Sequence, residues 1–250
     1  FGHAYSMTSP RSTISNSIVP FVKSHCRDKA APTIVQVLPQ LVRGGVERGT
    51  LEMAQAIIDA GGRAIVVSGG GPMVRHLQRI GATHHTLPVG SKNPLSWSGT
   101  RGRLRALLKS EQADLVHVRS RMPALVSLPA ARTLGLPNVS TVHGRFQAHN
   151  IAKRYFNGKL LAADHVIAIS HYVESQIRSQ FGDIGDRLSM IQRGVDIDVF
   201  DAAAVPQARI IRFIDSIALP EDQSVIMLPA RATAWKGQEV LLRALAKIAD

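Results

Sequence analysis

The sequence predicts an α/β protein built on a doubly wound parallel sheet. From residue 33 onward, short runs of β-branched and aliphatic residues alternate with longer segments of helical periodicity. The runs at 34–38 and 64–67 are almost wholly apolar, which is typical of strands that are buried on both faces. Because strand–helix units of this length connect neighbouring parallel strands, their repetition predicts one continuous parallel sheet.

The first domain is predicted to contain seven strands with helices between them. The predicted strands span residues 33–38, 63–68, 83–87, 114–118, 138–142, 165–169 and 188–191. The predicted helices span residues 46–60, 73–80, 96–111, 122–134 and 172–181, with an irregular segment after residue 148. We expect this Rossmann-like domain to cover residues 32–192 and an interdomain linker to follow at 193–206.

The alternation begins again after the linker. A helix around 208–217, a strand at 224–228 and a helix from Gly237 predict the start of a second Rossmann-like domain over residues 207–250. The last residues continue a helical pattern without a cap or a glycine stop, so we expect a longer protein in which this domain is completed. Residues 1–31 are rich in Ser and Thr and are predicted to be a disordered lead-in or foreign to the natural protein.

Composition excludes several classes of protein. The 250 residues are 45% hydrophobic and 19% charged, which excludes a wholly disordered chain. A single cysteine excludes a disulfide framework and a cysteine-built zinc site, and it is typical of a reducing compartment. No apolar run approaches the ~18 residues that a membrane-spanning helix needs. We therefore expect a cytoplasmic globular protein.

The net charge indicates an anionic partner. Thirty Lys and Arg against eighteen Asp and Glu leave a formal charge of +12, and residues 63–121 carry ten basic side chains and only two acidic ones. Such an excess favours nucleic acid, anionic lipid or phosphorylated substrates. Aromatic residues make up only 5% of the chain, and no basic segment is interleaved with aromatics that could stack on bases. We therefore expect lipid or sugar phosphate, and no nucleic acid.

The predicted helix at 96–111 concentrates part of this charge. Its leucines fall on one side, and Arg101, Arg105 and Lys109, spaced by four, form a row along its flank. One interpretation is an ordinary surface helix with a solvated basic edge. The other is a surface that faces an anionic membrane, with peripheral attachment to the inner face of the cell membrane.

The loop after the first predicted strand has the features of a phosphate site. Open parallel sheets bind ligands at the carboxyl ends of their strands, where a helix N-terminus attracts phosphate. Gly44 and Gly45 would let a ligand approach the backbone closely. The loop lacks the G-x-G-x-x-G spacing of a dinucleotide site, and a Gly-Gly pair can also be simple turn punctuation.

Polar residues also follow the fourth and fifth predicted strands. His117, Arg119 and Ser120 end one strand, and His143 ends the next. A lone histidine at a strand end is ordinarily structural, but two of them beside Arg119 on one sheet edge favour a binding site. The sequence contains neither the H-E-x-x-H spacing of a zinc site nor the G-x-S-x-G nucleophile elbow of many hydrolases.

A third cationic loop lies in the second domain. Arg231 and Lys236 precede a helix that begins near Gly237. Guanidinium and ammonium groups beside a helix N-terminus can neutralise a diphosphate, including one that is leaving in a reaction. Solvated surface charges are the alternative explanation.

Taken together, these segments resemble glycosyltransferase family 4. The segments that carry the resemblance, in order, are 39–47 with its Gly-Gly-x-Glu, 114–117, 141–144, 164–170, 194–196 with Phe200, and 231–237. The resemblance covers nearly all of residues 33–250. It implies the GT-B architecture, with two Rossmann-like domains, and transfer of a sugar from a UDP- or GDP-sugar with retention at the anomeric carbon.

The resemblance also implies roles for individual residues. Arg231 and Lys236 would bind the donor diphosphate, and the Gly44–Gly45 loop would lie against it. His143 would be the catalytic residue near the transferred sugar. On the acceptor side the implied residues are His117, Arg119 and Ser120.

Three features depart from the family pattern. Arg193 stands where the family usually has Asn before Gly-Val-Asp, and Ala230 stands where it usually has Gly. The family's paired glutamates would follow residue 250. Because the donor domain is incomplete over these residues, we expect the 250-residue chain alone to be inactive.

The sequence thus predicts a retaining glycosyltransferase that acts on a lipid-linked or saccharide acceptor in bacterial envelope glycan or lipopolysaccharide synthesis. No Asp-x-Asp motif lies in a suitable strand-end loop, so we expect no metal and no cofactor besides the nucleotide-sugar donor. One alternative is a GT-B-fold nucleotide-sugar epimerase, which would transfer protons through carboxylates and histidine and need no acceptor. Another is a non-catalytic module that binds membranes or sugars.

Overall fold

The computed structural model describes residues 31–144, 150–197, 199–220 and 225–248. The lead-in predicted at 1–31 lies outside the described residues, except for Ala31. The chain divides into two compact units, the first ending at Gly194 and the second beginning at Val195. The predicted linker at 193–206 and the predicted domain limits stay predictions.

The first unit contains a seven-stranded parallel sheet. Its strands are β1 (Thr33–Val37), β2 (Arg63–Ser68), β3 (Thr83–Thr86), β4 (Leu115–Val118), β5 (Asn138–Val142), β6 (His165–Ala168) and β7 (Leu188–Met190). They follow the spatial order β3-β2-β1-β4-β5-β6-β7, and every neighbouring pair is parallel. The predicted doubly wound α/β fold is confirmed, and its strand order reverses between β1 and β4.

Helices cover both faces of this sheet. They are α1 (Gly45–Asp59), α2 (Val74–Arg79), α3 (Trp97–Ser110), α4 (Arg121–Thr133), α5 (Ile151–Leu160) and α6 (His171–Phe181). One core cluster joins apolar residues of α1 and α2 to the sheet, including Leu51 and Leu77. The second core cluster packs the four helices α3, α4, α5 and α6 against the opposite face of the sheet, through residues such as Leu104 and Ile177. The two-sided burial explains why the strands are apolar at consecutive positions.

Helix α5 occupies the segment that was predicted to be irregular. Asn150 caps it, because its side-chain oxygen accepts a hydrogen bond from the backbone N–H of Lys153 at 2.8 Å. The helix buries only Asn157 and Leu160. The prediction was wrong because one of the two buried residues is a polar asparagine, so the buried face of the helix is not apolar in the sequence.

The topology places the ends of β1, β4 and β5 side by side. In the sheet register, Gln36 of β1 pairs with His117 of β4, which pairs on its other side with Val139 of β5. The backbone N–H of Arg119 then donates to the carbonyl of Val37 at 2.9 Å, extending the β1–β4 pairing by one residue. Because a sheet whose order reverses leaves a crevice at this edge, the polar residues after β4 and β5 border a binding position.

The described part of the second unit contains two α-helices, α7 (Gln207–Ser216) and α8 (Gln238–Leu245). The strand predicted at 224–228 is not formed at the described residues 225–228, which are irregular and exposed. A strand needs a hydrogen-bonded neighbour, and the described residues of this unit include no second strand to supply one. None of the described helices combines the length and apolarity needed to cross a membrane.

Candidate functional site

A cleft of about 260 Å³ lies at the carboxyl edge of the sheet in the first unit. The end of β5, the residues after β4 and the start of α1 enclose it. Its lining residues are Val46, Arg119, Ser120, Arg121, Thr141, Val142, His143, Gly144 and Leu160. The structure therefore brings together three of the residues predicted from sequence, namely Arg119, Ser120 and His143.

Arg119 is the most deeply buried cation of this cleft, at 5% exposure. Its Nη1 donates to Oε1 of Gln36 at 2.9 Å, and Nε2 of Gln36 donates to the carbonyl of Thr50 in α1 at 3.1 Å. Its Nε is buried and has no hydrogen-bond partner among the described residues. Burial, with the nearby charge of Arg193, lowers the pKa of Arg119 to about 10. It therefore remains a cation at neutral pH.

Two glycines of α1 let a second arginine approach Arg119. A Cβ built on Gly49 would lie 2.6 Å from Nη2 of Arg193 and 3.0 Å from Nη2 of Arg119. A Cβ on Gly45 would lie 3.0 Å from Nη1 of Arg193. Because both guanidinium groups touch the same point on α1, they lie next to each other. Arg193 also pairs with Glu52 at 3.2 Å.

Helix α1 presents its N-terminus without a side-chain cap. Gly44 is its N-cap residue, and no side-chain oxygen accepts a hydrogen bond there. A Cβ on Gly44 would lie 2.5 Å from Oε2 of Glu47. The glycine therefore makes room for the carboxylate of the first turn. The phosphate-binding role predicted for Gly44 and Gly45 stays a prediction.

His117 has a structural contact inside the sheet. Its Nε2 hydrogen-bonds Oγ1 of Thr141 at 2.7 Å, and the ring is buried. Burial, followed by the charges of Arg119 and His143, holds the pKa of His117 well below its ordinary value. A neutral, satisfied ring in this position links β4 to β5 and is absent from the lining of the cleft.

His143 differs from His117 because it lines the cleft. Its ring nitrogens are both buried and have no hydrogen-bond partner among the described residues. Burial, with the charges of Arg119 and Arg193, lowers the pKa of His143 to about 3. The imidazole is therefore neutral at physiological pH, with one N–H to donate and one nitrogen to accept.

Sequence reasoning missed four residues of this site. Gln36 orients Arg119, Glu52 pairs with Arg193, Gly49 accommodates both arginines, and Arg121 lines the cleft while its Nη1 donates to Asn157 at 2.7 Å. Gln36 had a usable signal, since it is the one polar residue inside the apolar run of β1. The other three sit in segments whose pattern does not distinguish them from surface residues.

Arg231 and Lys236 lie in the second unit. The carbonyl of Arg231 accepts a hydrogen bond from Nε2 of Gln238 at 2.8 Å, and the N–H of Lys236 donates to the carbonyl of Thr233 at 2.9 Å. Gly237 begins α8 in the left-handed conformation, with φ of 84°. These bonds shape a loop before a helix, as the sequence predicts. Binding of a diphosphate by this loop stays a prediction.

The basic row of α3 faces solvent. Arg101, Arg105 and Lys109 are exposed, whereas Leu104 and Leu108 are buried against the sheet. This amphipathic arrangement agrees with both interpretations of the helix, so membrane contact stays a prediction. Among the residues described by the structure, no cluster of three or more His, Cys, Asp or Glu could hold a metal ion.

Solved structures that share this doubly wound parallel sheet are GT-B glycosyltransferases. The family model for Glycosyltransferase Family 4 matches residues 43–199. That match covers more than half of the 250 residues. The chain belongs to glycosyltransferase family 4, and the resemblance seen in the sequence is confirmed.

Individual relatives agree with this assignment. A crystal structure of a glycosyltransferase from Rickettsia africae shares 33% identity, with a TM-score of 0.77 over 88% of this chain and 58% of that one. D-inositol 3-phosphate glycosyltransferase 1 of Catenulispora acidiphila is 26% identical over 60% of this chain and 37% of its own length. The Anabaena protein Alr3699/HepE, solved with UDP-glucose, shares the fold with a TM-score of 0.71 at 18% identity, covering 86% of this chain and 57% of that one. The chain thus spans little more than a third of the curated relative's length and a little over half of each solved structure.

Proposed function

We propose that this protein is a retaining glycosyltransferase that transfers a sugar from a UDP- or GDP-sugar to a hydroxyl group of an acceptor. The observation that carries the proposal is the state of His143. Its imidazole is neutral and lines the cleft together with buried Arg119, and neither ring nitrogen has a hydrogen-bond partner among the described residues. Family membership and the UDP-glucose complex of the Anabaena neighbour support the proposal.

The neutral state of His143 suits this chemistry. Glycosyl transfer passes through a transition state in which the sugar ring carries positive charge. An imidazolium beside that ring would repel it, whereas a neutral imidazole can donate a hydrogen bond to a sugar hydroxyl without adding charge. Because the pKa of His143 is about 3, the ring stays neutral over the whole physiological range.

Cations would stabilise the leaving group. A departing nucleoside diphosphate gains negative charge as the glycosidic bond breaks, and cations positioned at that charge lower the barrier. Arg231 and Lys236 of the second unit are proposed for this role. For the first unit, we propose separately that Gly44 and Gly45 at the N-terminus of α1 bind phosphate. The acceptor hydroxyl would attack from the face that the diphosphate leaves and would pass its proton to the departing diphosphate, so no protein nucleophile is required. Because Arg231 and Lys236 would neutralise the diphosphate, no metal ion is proposed.

We further propose a lipid-linked or saccharide acceptor on the cytoplasmic side of the bacterial membrane, in synthesis of envelope glycan or lipopolysaccharide. The exposed basic row of α3 supports peripheral attachment to anionic lipid. The C. acidiphila relative is named a D-inositol 3-phosphate glycosyltransferase, and this name supports our proposal of an acceptor that carries negative charge. Nucleic acid is not proposed as a partner.

The test uses a protein completed to the length of the relatives. It is incubated with UDP- and GDP-sugars and candidate acceptors, with and without EDTA, and the products are followed by NMR of the anomeric proton. A transfer product with retained configuration supports the proposal, and an epimer of the donor sugar supports the epimerase alternative. If no product forms, the result supports a binding module. His143→Ala should lower transfer strongly, whereas His171→Ala, at an exposed histidine of α6, is the matched control and should not.

A further inference from the structure

We propose that Arg119 and Arg193 form a binding site for a phosphate group, and that this phosphate belongs to the acceptor. The assignment to the acceptor rests on the proposed transferase function, whereas phosphate binding by these two residues does not. The site would be a specificity determinant, because Arg193 stands where the family usually has Asn.

One carboxylate of α1 serves two arginines. Glu52 pairs with Arg193 at 3.2 Å and with Arg48 at 3.0 Å, so one carboxylate is shared by two guanidinium groups. The described part of the chain places no carboxylate in ion-pair contact with Arg119. Arg119 therefore lacks a carboxylate partner among the described residues while it is withdrawn from water, where an anion is bound more strongly than at an open surface. Arg193 lies at the exposed side of the same region.

Hydrogen-bond donors in the same place are unused. Nε of Arg119 is buried without a partner among the described residues, although its Nη1 is satisfied by Gln36. A buried donor without a partner is costly, and an oxyanion that accepted its hydrogen bond would remove that cost. The N–H of His143 is not needed here, because Nη2 of Arg119 and Nη2 of Arg193 lie at the same point on α1.

The geometry suits a tetrahedral dianion better than a carboxylate. Both guanidinium groups contact α1 at Gly49, so their donors converge on one region. A phosphate monoester carries close to two negative charges and three acceptor oxygens at neutral pH, enough for both arginines. A carboxylate has only two acceptor oxygens, so it would accept fewer of the hydrogen bonds that the two guanidinium groups can donate.

Glycine at position 49 is the feature that permits this arrangement. A methyl group there would lie 2.6 Å from Nη2 of Arg193 and 3.0 Å from Nη2 of Arg119. Both contacts are with the far ends of flexible side chains, so the fold can tolerate alanine while the two guanidinium groups are displaced. Gly49→Ala therefore perturbs the site without changing its charge.

The experiment titrates the 250-residue chain by calorimetry at low salt with inorganic phosphate, glucose 6-phosphate, glucose and UDP. We expect phosphate and glucose 6-phosphate to bind and glucose to bind far more weakly. Arg193→Asn and Gly49→Ala should each weaken phosphate binding at least tenfold, with folding checked by far-ultraviolet circular dichroism. Arg48→Ala is the matched control. Arg48 also pairs with Glu52, but it does not contact Gly49, so this substitution should change the affinity for phosphate less than threefold.

Several outcomes would overturn the site. The proposed site would be refuted if the wild-type chain did not bind phosphate. It would also be refuted if the wild type and Arg193→Asn bound phosphate with equal affinity. Competition between UDP and glucose 6-phosphate would assign the anion to the donor and overturn the acceptor assignment. The completed protein could also transfer sugar to acceptors without phosphate, at a rate that Arg193→Asn does not change. That result would overturn this inference and leave the proposed transferase function intact.

Discussion

Replacing His143 with glutamine should make the first unit less sensitive to acid. The pKa of His143 is lowered to about 3 in the folded chain by burial and by Arg119 and Arg193, against about 6.5 in an unfolded chain. Between these two values the unfolded state binds more protons than the folded state, so stability falls as the pH falls. Glutamine does not titrate, so the His143→Gln variant would not show this part of the loss.

The size of the effect follows from these two pKa values. When the pH falls from 6.5 to 5, the free energy of unfolding should decrease by about 1.6 kcal/mol more in the wild type than in the variant. The reason is that His143 binds a proton only in the unfolded chain over this range. This range lies well above a pKa of about 3, so the result is insensitive to the exact folded value.

Urea denaturation followed by circular dichroism at several pH values between 5 and 7.5 measures this difference. Buffers without phosphate avoid anion binding at the cleft. Exposed His171 provides the control, because His171→Gln should leave the pH dependence unchanged. Parallel stability curves for wild type and His143→Gln would refute the reasoning, since they would mean that His143 titrates alike in both states.

Three further predictions concern activity and attachment. In a protein of the relatives' length, Lys236→Ala should lower turnover on the order of a hundredfold, because a cation that stabilises the leaving diphosphate is lost; wild-type turnover would contradict that role. Residues 1–250 alone should transfer no sugar in the NMR assay, and turnover by this chain would show that the site is placed wrongly. Changing Arg101, Arg105 and Lys109 together to Ser should weaken co-sedimentation with anionic vesicles, since each basic residue near such a surface contributes about 1 kcal/mol. Equal sedimentation of the wild type with neutral and anionic vesicles at low salt would argue against membrane attachment.

Most of the first unit could be predicted because its signals are local. A strand covered by helices on both faces must be apolar at consecutive positions, and β1 and β2 show this directly in the sequence. The two errors arose where local pattern is insufficient. Helix α5 buries Asn157 beside Leu160, so its buried face is partly polar in the sequence. The apolar run at 225–228 is irregular, and the described residues supply no strand to pair with it.

The candidate site could be predicted in its parts but not in its connections. Polar residues at strand ends indicate the carboxyl edge of a parallel sheet, and Arg119 and His143 hold such positions in the sequence. Their environment depends on residues far away in the chain. Arg119 bonds Gln36 across 83 positions, and Arg193 pairs with Glu52 across 141. No periodicity or spacing rule relates residues so distant.

The sequence by itself determined the fold class and the family of this protein, because apolar strands and ordered motifs are written in consecutive residues. Only the tertiary structure decided how the polar residues divide their roles. His117 and His143 follow the same kind of strand, yet one bonds Thr141 inside the sheet and the other lines the cleft without a partner among the described residues. The physical reason is that burial and neighbouring charge, which set hydrogen bonding and pKa, arise only when distant segments pack together.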